Sequence, residues 1–461
     1  MTTTPTPVAP TGWPTAPALA TSLFTDHYEL TMLEASLRSG AASRRCVFEV
    51  FTRSLPDGRR YGVVAGVGRL LQQLVGFRFG DAELTMLEAT RVVDRATLDW
   101  LAGYRFGGSI RGYGEGECFF PGSPILVVEG SFAEAVLLET LVLSILNHDS
   151  AIAAAASRMV AHALDRPCLE MGSRRTHEES AVAAARAAYV AGFAGTSNLE
   201  AGRRYGIPTI GTAAHAFTLV HDDERLAFAA QVEAFGTGTT LLVDTYDVTR
   251  GVASAIEVAG TGLGAVRLDS GDLLELAFAV RAQLDALGAT STRIVVTSDL
   301  DEHAIAALAA APVDAYGVGT SLVTGSGAPT AGMVYKLVAR EGAGGKLVDV
   351  AKRSPDKPST GGRKTPVRRI GPDGVARTEW IGVGPAAAPR PPTTGGRDRE
   401  LLVPLVEHGE IVGSESLDAA RDRHRACLAE LPPTARQLSR GEPALPTVVH
   451  TSRPARPART A

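Results

Sequence analysis

IPTIGTAAHAF, residues Ile207–Phe217, is a β-type run that ends on small residues and then presents a single histidine, His215. A strand that stops on Gly-Thr and is followed by a lone imidazole is what a parallel βα barrel offers at its active face, where strands end and loops begin. The surrounding chain repeats the arrangement. Strands are expected at Pro167–Met171, Val190–Ala194, Thr209–Thr212, Thr240–Asp244, Ala265–Leu268, Ile294–Thr297 and Ala315–Val318, with Ala/Leu/Glu-rich helical segments between most of them. Strands that alternate with helices require crossover connections and a parallel sheet. The succession favours an irregular α/β barrel, with Met333–Val338 a candidate to close it; an open doubly wound sheet is the competing architecture.

Outside this block the chain is mixed. Phe24–Leu37 has helical spacing, Cys46–Thr52 alternates like a strand before the Pro56-Asp57-Gly58 turn, and Tyr61–Leu74 and Asp81–Leu101 carry further helix. Two short strands are expected in Gly112–Val128, around Pro121-Gly122. Ser131–Leu164 is one long helical tract, apolar on most faces, which predicts burial between domains. Lys346–Arg369 is basic, interrupted by Pro and Gly, and of little periodicity, whereas Leu401–Val412 has strand character and Ser416–Glu430 helical character.

The expected organisation is a loose tail at 1–20, an α+β domain at 21–130, the barrel at 131–340, a segment at 341–442 that packs back on the first domain, and a disordered Pro/Arg/Ala-rich tail at 443–461. At 461 residues, two or three domains fit. A 45% hydrophobic and 21% charged composition is that of a globular protein, and a net charge of −4 gives no reason to expect nucleic acid or an anionic membrane as partner. Residues 1–20 have neither a basic start nor an apolar core, no membrane-spanning run is read in the chain, and the four scattered cysteines show no zinc spacing. The expected compartment is the cytoplasm.

The residues just past each expected strand are polar and glycine-rich: Gly172-Ser173-Arg174-Arg175, Gly195-Thr196-Ser197-Asn198, Gly211-Thr212 with His215, Asp244-Thr245-Tyr246-Asp247, Arg267 through Asp272, Ser298-Asp299, and Gly317-Val318-Gly319-Thr320. In a barrel they converge. Arg174, Arg175 and Arg267 offer forked bonds to carboxylate or phosphate. The Gly319-Thr320 turn offers amides and a hydroxyl to phosphate. Asp269 and Asp272 suit sugar hydroxyls or Mg²⁺. Each feature alone has an ordinary structural explanation, since Asp is a common turn-former and Gly-rich turns are widespread. The inventory as a whole suits a phosphorylated sugar together with a small acid.

At these motifs the chain resembles the nicotinate phosphoribosyltransferases. The likeness runs from Thr25 to about Arg369 through TDHYELTM (Thr25–Met32), GRRYGVVAGV (Gly58–Val67), GSRRTHE (Gly172–Glu178), GTSN (Gly195–Asn198), GTAAHAF (Gly211–Phe217), LVDTYD (Leu242–Asp247), VRLDSGD (Val266–Asp272), SDLDE (Ser298–Glu302), YGVGTSLVT (Tyr316–Thr324) and VYKLV (Val334–Val338). The resemblance implies an irregular parallel βα barrel plus an α+β domain built from N- and C-terminal segments. It implies transfer of phosphoribosyl from phosphoribosyl diphosphate to nicotinate, ATP hydrolysis coupled through a phosphohistidine, Mg²⁺ as cofactor, and a homodimer with shared active sites.

By motif, His215 is the phosphorylated residue. Tyr28, Thr212 and Arg267 contact nicotinate, Gly319 and Thr320 the phosphoribosyl donor, and Arg174 and Asp269 hold phosphate or carboxylate and the ribose hydroxyls respectively. Ser197 stands where the related nicotinamide enzymes carry Asp, and so favours the acidic base. Ala213 and Ala216 depart from the bulkier Met and Ser common beside the histidine. Nicotinamide as acceptor, a phosphosugar aldolase or isomerase, and a non-catalytic binding protein are the alternatives. The aldolase reading wants a lysine or an acid–base pair at a strand end, and only Lys336 lies near one.

Overall fold

The computed structural model describes residues 20–352, 359–384 and 395–451. Six strands, Cys168–Glu170, Gly195–Thr196, Thr240–Leu242, Ala265–Leu268, Arg293–Val296 and Ala315–Val318, pair in parallel throughout. The first strand of the series lies between the second and the last. That adjacency curls the sheet into a half-barrel, because the two ends of the βα series are brought side by side. A single parallel bridge from Thr196 to Thr209 adds a seventh position. Between that position and Thr240–Leu242 no ladder bonds form among the described residues, so the barrel has an open seam.

Three strand expectations need correction. The stretch Val190–Ala194 is not a strand: helix Glu178–Val190 runs to its start, the chain turns through Gly192 at φ 113°, and the strand begins at Gly195. Thr209–Thr212 makes only the one bridge, since Pro208 has no amide to donate. Met333–Glu341 does not close the barrel; it pairs antiparallel with Arg45–Thr52. Its mixture of buried and half-buried side chains suits an antiparallel sheet with one wetter face.

That second sheet interleaves the two ends of the chain. Its order is Leu347–Asp349, Met333–Glu341, Arg45–Thr52, Leu126–Ser131, Ser109–Tyr113, Leu402–Glu407 and Glu410–Ile411. The N- and C-terminal segments thus build one α+β unit, and residues 333–340 belong to it rather than to the barrel. Asp81–Leu101 is two helices, Asp81–Thr90 and Arg95–Ala102, because Arg91 turns left-handed and Asp94 caps the second through the Thr97 amide. Gly112–Val128 holds parts of three strands, not two, the short Cys118–Phe119 pairing with Gly62–Val63.

Lys346–Arg369, read as basic and of little periodicity, supplies most of the strand Lys364–Ile370, which pairs with Ala376–Val383 and Arg397–Glu400. The tail expected to begin at 443 is ordered through Thr451. Leu445 is buried, and Thr447–Thr451 pairs in parallel with Ala376–Val383 through its main chain. Residues 1–19 and 452–461, the remainder of the two expected tails, lie outside the described residues.

The helical tract at the domain junction divides into Phe132–Val136, started by a Ser131/Glu134 capping box, and Glu139–His162. By length and composition Phe132–His162 could cross a membrane. Here Ile152–Ala156 and Met159 are buried, and the alanines allow close approach to helix Glu178–Val190, itself buried from Ala181 to Ala188. The tract therefore joins the hydrophobic cores beneath the two sheets.

A buried ionic network fastens the chain ends together. Arg368, fully inaccessible, reaches Glu379 at 2.6 Å and Glu117 at 3.3 Å, and Arg399 reaches Glu117 at 2.6 Å. The Tyr113 hydroxyl donates to Glu379 at 2.7 Å and the Cys427 thiol to Glu117 at 2.7 Å. Burial opposes ionisation of Glu117, but the two guanidiniums outweigh it and draw its carboxyl down to about 2.

Candidate active site

The open seam of the barrel is where the polar loops meet. His215 begins the short helix His215–Leu219, after an extended Ala214. Its Nδ1 lies 3.1 Å from the Thr245 hydroxyl, and its Nε2 faces the Asp269 carboxylate at 3.6 Å. Arg267 Nη1 donates to the Thr212 hydroxyl on the same side of the seam as His215. Side chains from the 212–215 loop and from the ends of strands Thr240–Leu242 and Ala265–Leu268 thus span the gap that backbone pairing leaves open.

Asp269 is held in place from two directions. Its amide donates to Asp244 Oδ2 at 2.8 Å, where the Ser270 hydroxyl also donates at 2.7 Å, and the Thr297 hydroxyl donates to its Oδ1. Two polar atoms in this group are buried without a partner, Asp244 Oδ1 and Arg267 Nε. An acceptor and a donor left unsatisfied at a strand end are suited to a bound molecule. Burial draws the Arg267 guanidinium down, opposed by Asp269 and Asp244 and reinforced by Arg174. Arg174 itself is exposed on the turn Ser173–Arg175, near enough for the two cations to repel.

Beneath this layer Glu170 is buried. It accepts from the Gly172 amide and the Thr196 hydroxyl, while its carbonyl takes the Ser197 amide at 2.8 Å, leaving the Ser197 side chain exposed. Burial raises the Glu170 carboxyl above the usual carboxylate range. The glycines serve close approach. A Cβ at Gly317 would stand 2.5 Å from Thr297 Cγ2, and one at Gly172 would stand 2.9 Å from the Gly319 carbonyl. Gly319 is therefore packed directly against Gly172, and the exposed Thr320 follows it.

The structure brings His215, Thr212, Arg267 and Asp269 into one group, with Arg174, Ser197, Gly319 and Thr320 on neighbouring loops of the same face. Tyr28 is not among them. It is about half exposed on helix His27–Ser39, and burial followed by the charges of Glu139, Glu29 and Asp26 pushes its hydroxyl up to about 12. Asp272, considered for sugar or metal, instead caps helix Leu273–Ala286 through the Leu274 and Glu275 amides, both at 3.1 Å. Sequence reasoning placed Thr245 at the mouth without a role, and gave none to Asp244, Glu170, Thr196 or Thr297. Only their hydrogen bonds distinguish them from ordinary strand-end residues.

The nicotinate phosphoribosyltransferase (NAPRTase) N-terminal domain matches residues 23–147, and the nicotinate phosphoribosyltransferase (NAPRTase) family matches residues 167–371. The chain is 60% identical over 433 residues to the nicotinate phosphoribosyltransferase pncB1 of Mycobacterium tuberculosis, covering 92% of this chain and 94% of that protein. This chain belongs to the nicotinate phosphoribosyltransferase family.

A second relative of that name, from Bacillus subtilis, is 41% identical over 360 residues, covering 76% of this chain and 73% of that protein. The crystal structure of human nicotinic acid phosphoribosyltransferase superposes with a TM-score of 0.78 at 27% identity, over 92% of this chain and 97% of that one. The match extends across the half-barrel and the interleaved α+β unit together, so a nicotinate phosphoribosyltransferase fold accounts for both sheets. The protein is an enzyme of that family.

Proposed function

We propose that this enzyme transfers the 5-phosphoribosyl group from phosphoribosyl diphosphate to nicotinate, yielding nicotinate mononucleotide and diphosphate for NAD biosynthesis. In this reading ATP hydrolysis is coupled to the transfer through phosphorylation of His215. Family membership supports the transfer. The observation that carries the coupling is the position of His215, whose Nε2 faces Asp269 at 3.6 Å at the seam where Arg267 and Thr212 also meet.

The transfer breaks the bond from the ribose C1 to diphosphate oxygen and forms one from C1 to the pyridine nitrogen. A pyridine nitrogen is a modest nucleophile, so the site must mainly stabilise the cation-like sugar and the departing diphosphate. Arg267 and Thr212 hold the nicotinate carboxylate, which gives the unsatisfied Arg267 Nε a charged acceptor. Asp269 and Asp244 accept from ribose hydroxyls. Thr320, with the Gly319 turn, and Arg174 hold phosphate.

Thr245 meets His215 Nδ1 and Asp269 faces Nε2, so the two residues orient the ring that carries the phosphoryl group. The phosphoryl passes from ATP to a ring nitrogen of His215 and then to water. Its charge reorders the neighbouring loops, which links hydrolysis to substrate binding and product release rather than to bond making. Asp244, with its unpartnered Oδ1, and Asp269 are oxygen donors that fit Mg²⁺, which neutralises diphosphate charge when bound. The exposure of Tyr28 away from this group supports a homodimer in which one subunit's Tyr28 completes the partner's site. Ser197 supports nicotinate over nicotinamide, because it puts no anion against the carboxylate. The enzyme is read as cytoplasmic.

Incubation with ATP followed by mass mapping tests the coupling: an acid-labile phosphate is expected on His215. Phosphate on another residue, or full ATP stimulation in His215→Ala, removes the coupling. Turnover with nicotinamide alone removes the choice of base.

A further inference from the structure

Glu302 follows the mouth sequence Ser298-Asp299 and is almost inaccessible, yet it holds two arginines. Arg59 Nη1 donates to its Oε1 at 2.8 Å and Arg158 Nε donates to the same oxygen at 3.0 Å. Its other oxygen, Oε2, accepts from the Ser326 hydroxyl at 2.5 Å. Arg59 uses a second nitrogen to donate to the Gly325 carbonyl at 2.7 Å, and Arg158 also donates to the Gly58 carbonyl. The cluster therefore grips residues 325–326 twice.

Residues 325–326 end the turn of helix that begins at Thr320. The Gly325 amide donates to the Leu322 carbonyl at 3.0 Å and the Ser326 amide to the Ser321 carbonyl at 2.6 Å. Both residues are left-handed, with φ of 65° and 50°. Serine has no intrinsic preference for that region, so the conformation must be maintained by its contacts. At the other end of the same short helix, Gly319 packs on the 172 turn. A segment of four residues fixed at both ends has little freedom to move its first hydroxyl.

We propose that Glu302, with Arg59 and Ser326, is a positioning group for Thr320: through the 325–326 turn it sets where the Thr320 hydroxyl meets the phosphoribosyl donor. The proposal deepens the function above and rests on the assignment of Thr320 to that donor. Glu302 touches no substrate.

Ser326→Ala removes one hydroxyl and leaves the two-arginine pairing of Glu302 intact. The test measures KM for phosphoribosyl diphosphate and for nicotinate, kcat, and Tm, in Ser326→Ala, Glu302→Gln and Thr320→Ala. The expected result is a donor KM raised roughly five- to tenfold in Ser326→Ala and Thr320→Ala, the worth of one hydrogen bond, with the nicotinate KM and the Tm of Ser326→Ala near those of the unaltered enzyme. Glu302→Gln should shift the donor KM in the same direction. A raised donor KM in Thr320→Ala with none in Ser326→Ala overturns the positioning role alone. An unchanged donor KM in Thr320→Ala overturns the donor assignment, and the positioning role with it. A Ser326→Ala enzyme that loses Tm and changes both KM values equally shows a merely structural contact and overturns the proposal too.

Discussion

His215 Nε2 and the Asp269 carboxylate face each other at 3.6 Å from loops whose strands share no ladder bond. The pairing of an imidazole with a carboxylate is thus made by side chains across a break in the sheet. Asp269→Asn keeps the shape and the Thr297 contact but removes the charge. The expected outcome is an ATP-stimulated kcat lower by about 10- to 100-fold, the range for loss of a charged hydrogen-bonding group. Initial rates with and without ATP measure it, and an unaltered ratio would separate Asp269 from the histidine chemistry.

Arg267 is expected to control the base rather than the donor. Arg267→Ala should raise the KM for nicotinate by about 10- to 100-fold, because a charge-assisted bond to the carboxylate is lost. Arg267→Lys should recover only part of it, since an ammonium lacks the planar fork. Steady-state kinetics with nicotinate varied at saturating donor distinguish these outcomes from a general loss of activity.

Arg368 tests whether the C-terminal segment completes the N-terminal unit. It neutralises Glu117 and Glu379 where none of the three meets water. Arg368→Ala strands the Glu379 carboxylate, leaves Glu117 with Arg399 as its cation, and has an expected cost of about 3–5 kcal/mol of stability. Denaturant unfolding measures it. A loss below about 1 kcal/mol would mean that the network is not what holds the segments together.

His424 gives the protein an acid limit. Burial draws its imidazole down to about 4 from an ordinary 6.5, while Nδ1 meets the Gly116 carbonyl and Nε2 the Ser157 hydroxyl, both at 3.0 Å. The folded state therefore binds this proton later than the unfolded state does. Stability is complete above pH 6.5 and declines as the pH falls from 6.5 towards 4, by about 3 kcal/mol for this group. Tm measured across that window should fall less steeply in His424→Gln than in the unaltered protein. Equal slopes would exclude His424 as the source.

Much of the half-barrel could be read locally. Ala265–Leu268 and Ala315–Val318 occupy the strands expected from their β-branched or aromatic runs and the turns that bound them, because both signals lie within a few residues. The same locality exposed His215, Arg267 and Asp269, each next to its strand end. Val190–Ala194 was misread because an apolar run at the end of a buried helix has the composition of a strand. Asp272 was misread because a helix cap and a ligand-binding carboxylate are the same residue type, separated only by which amides they meet.

By itself the sequence determined the alternation of strand and helix, the polar strand ends and the histidine after Gly-Thr, since these follow from spacing and residue chemistry within single segments. Only the tertiary structure decided that Met333–Glu341 leaves the barrel for the antiparallel sheet, that Glu117 meets Arg368 across 251 positions, and that Thr245 rather than another hydroxyl engages His215. Those outcomes depend on which distant surfaces bury one another. A buried charge or an unpaired amide must find its partner wherever the chain brings one, and no local pattern records where that will be.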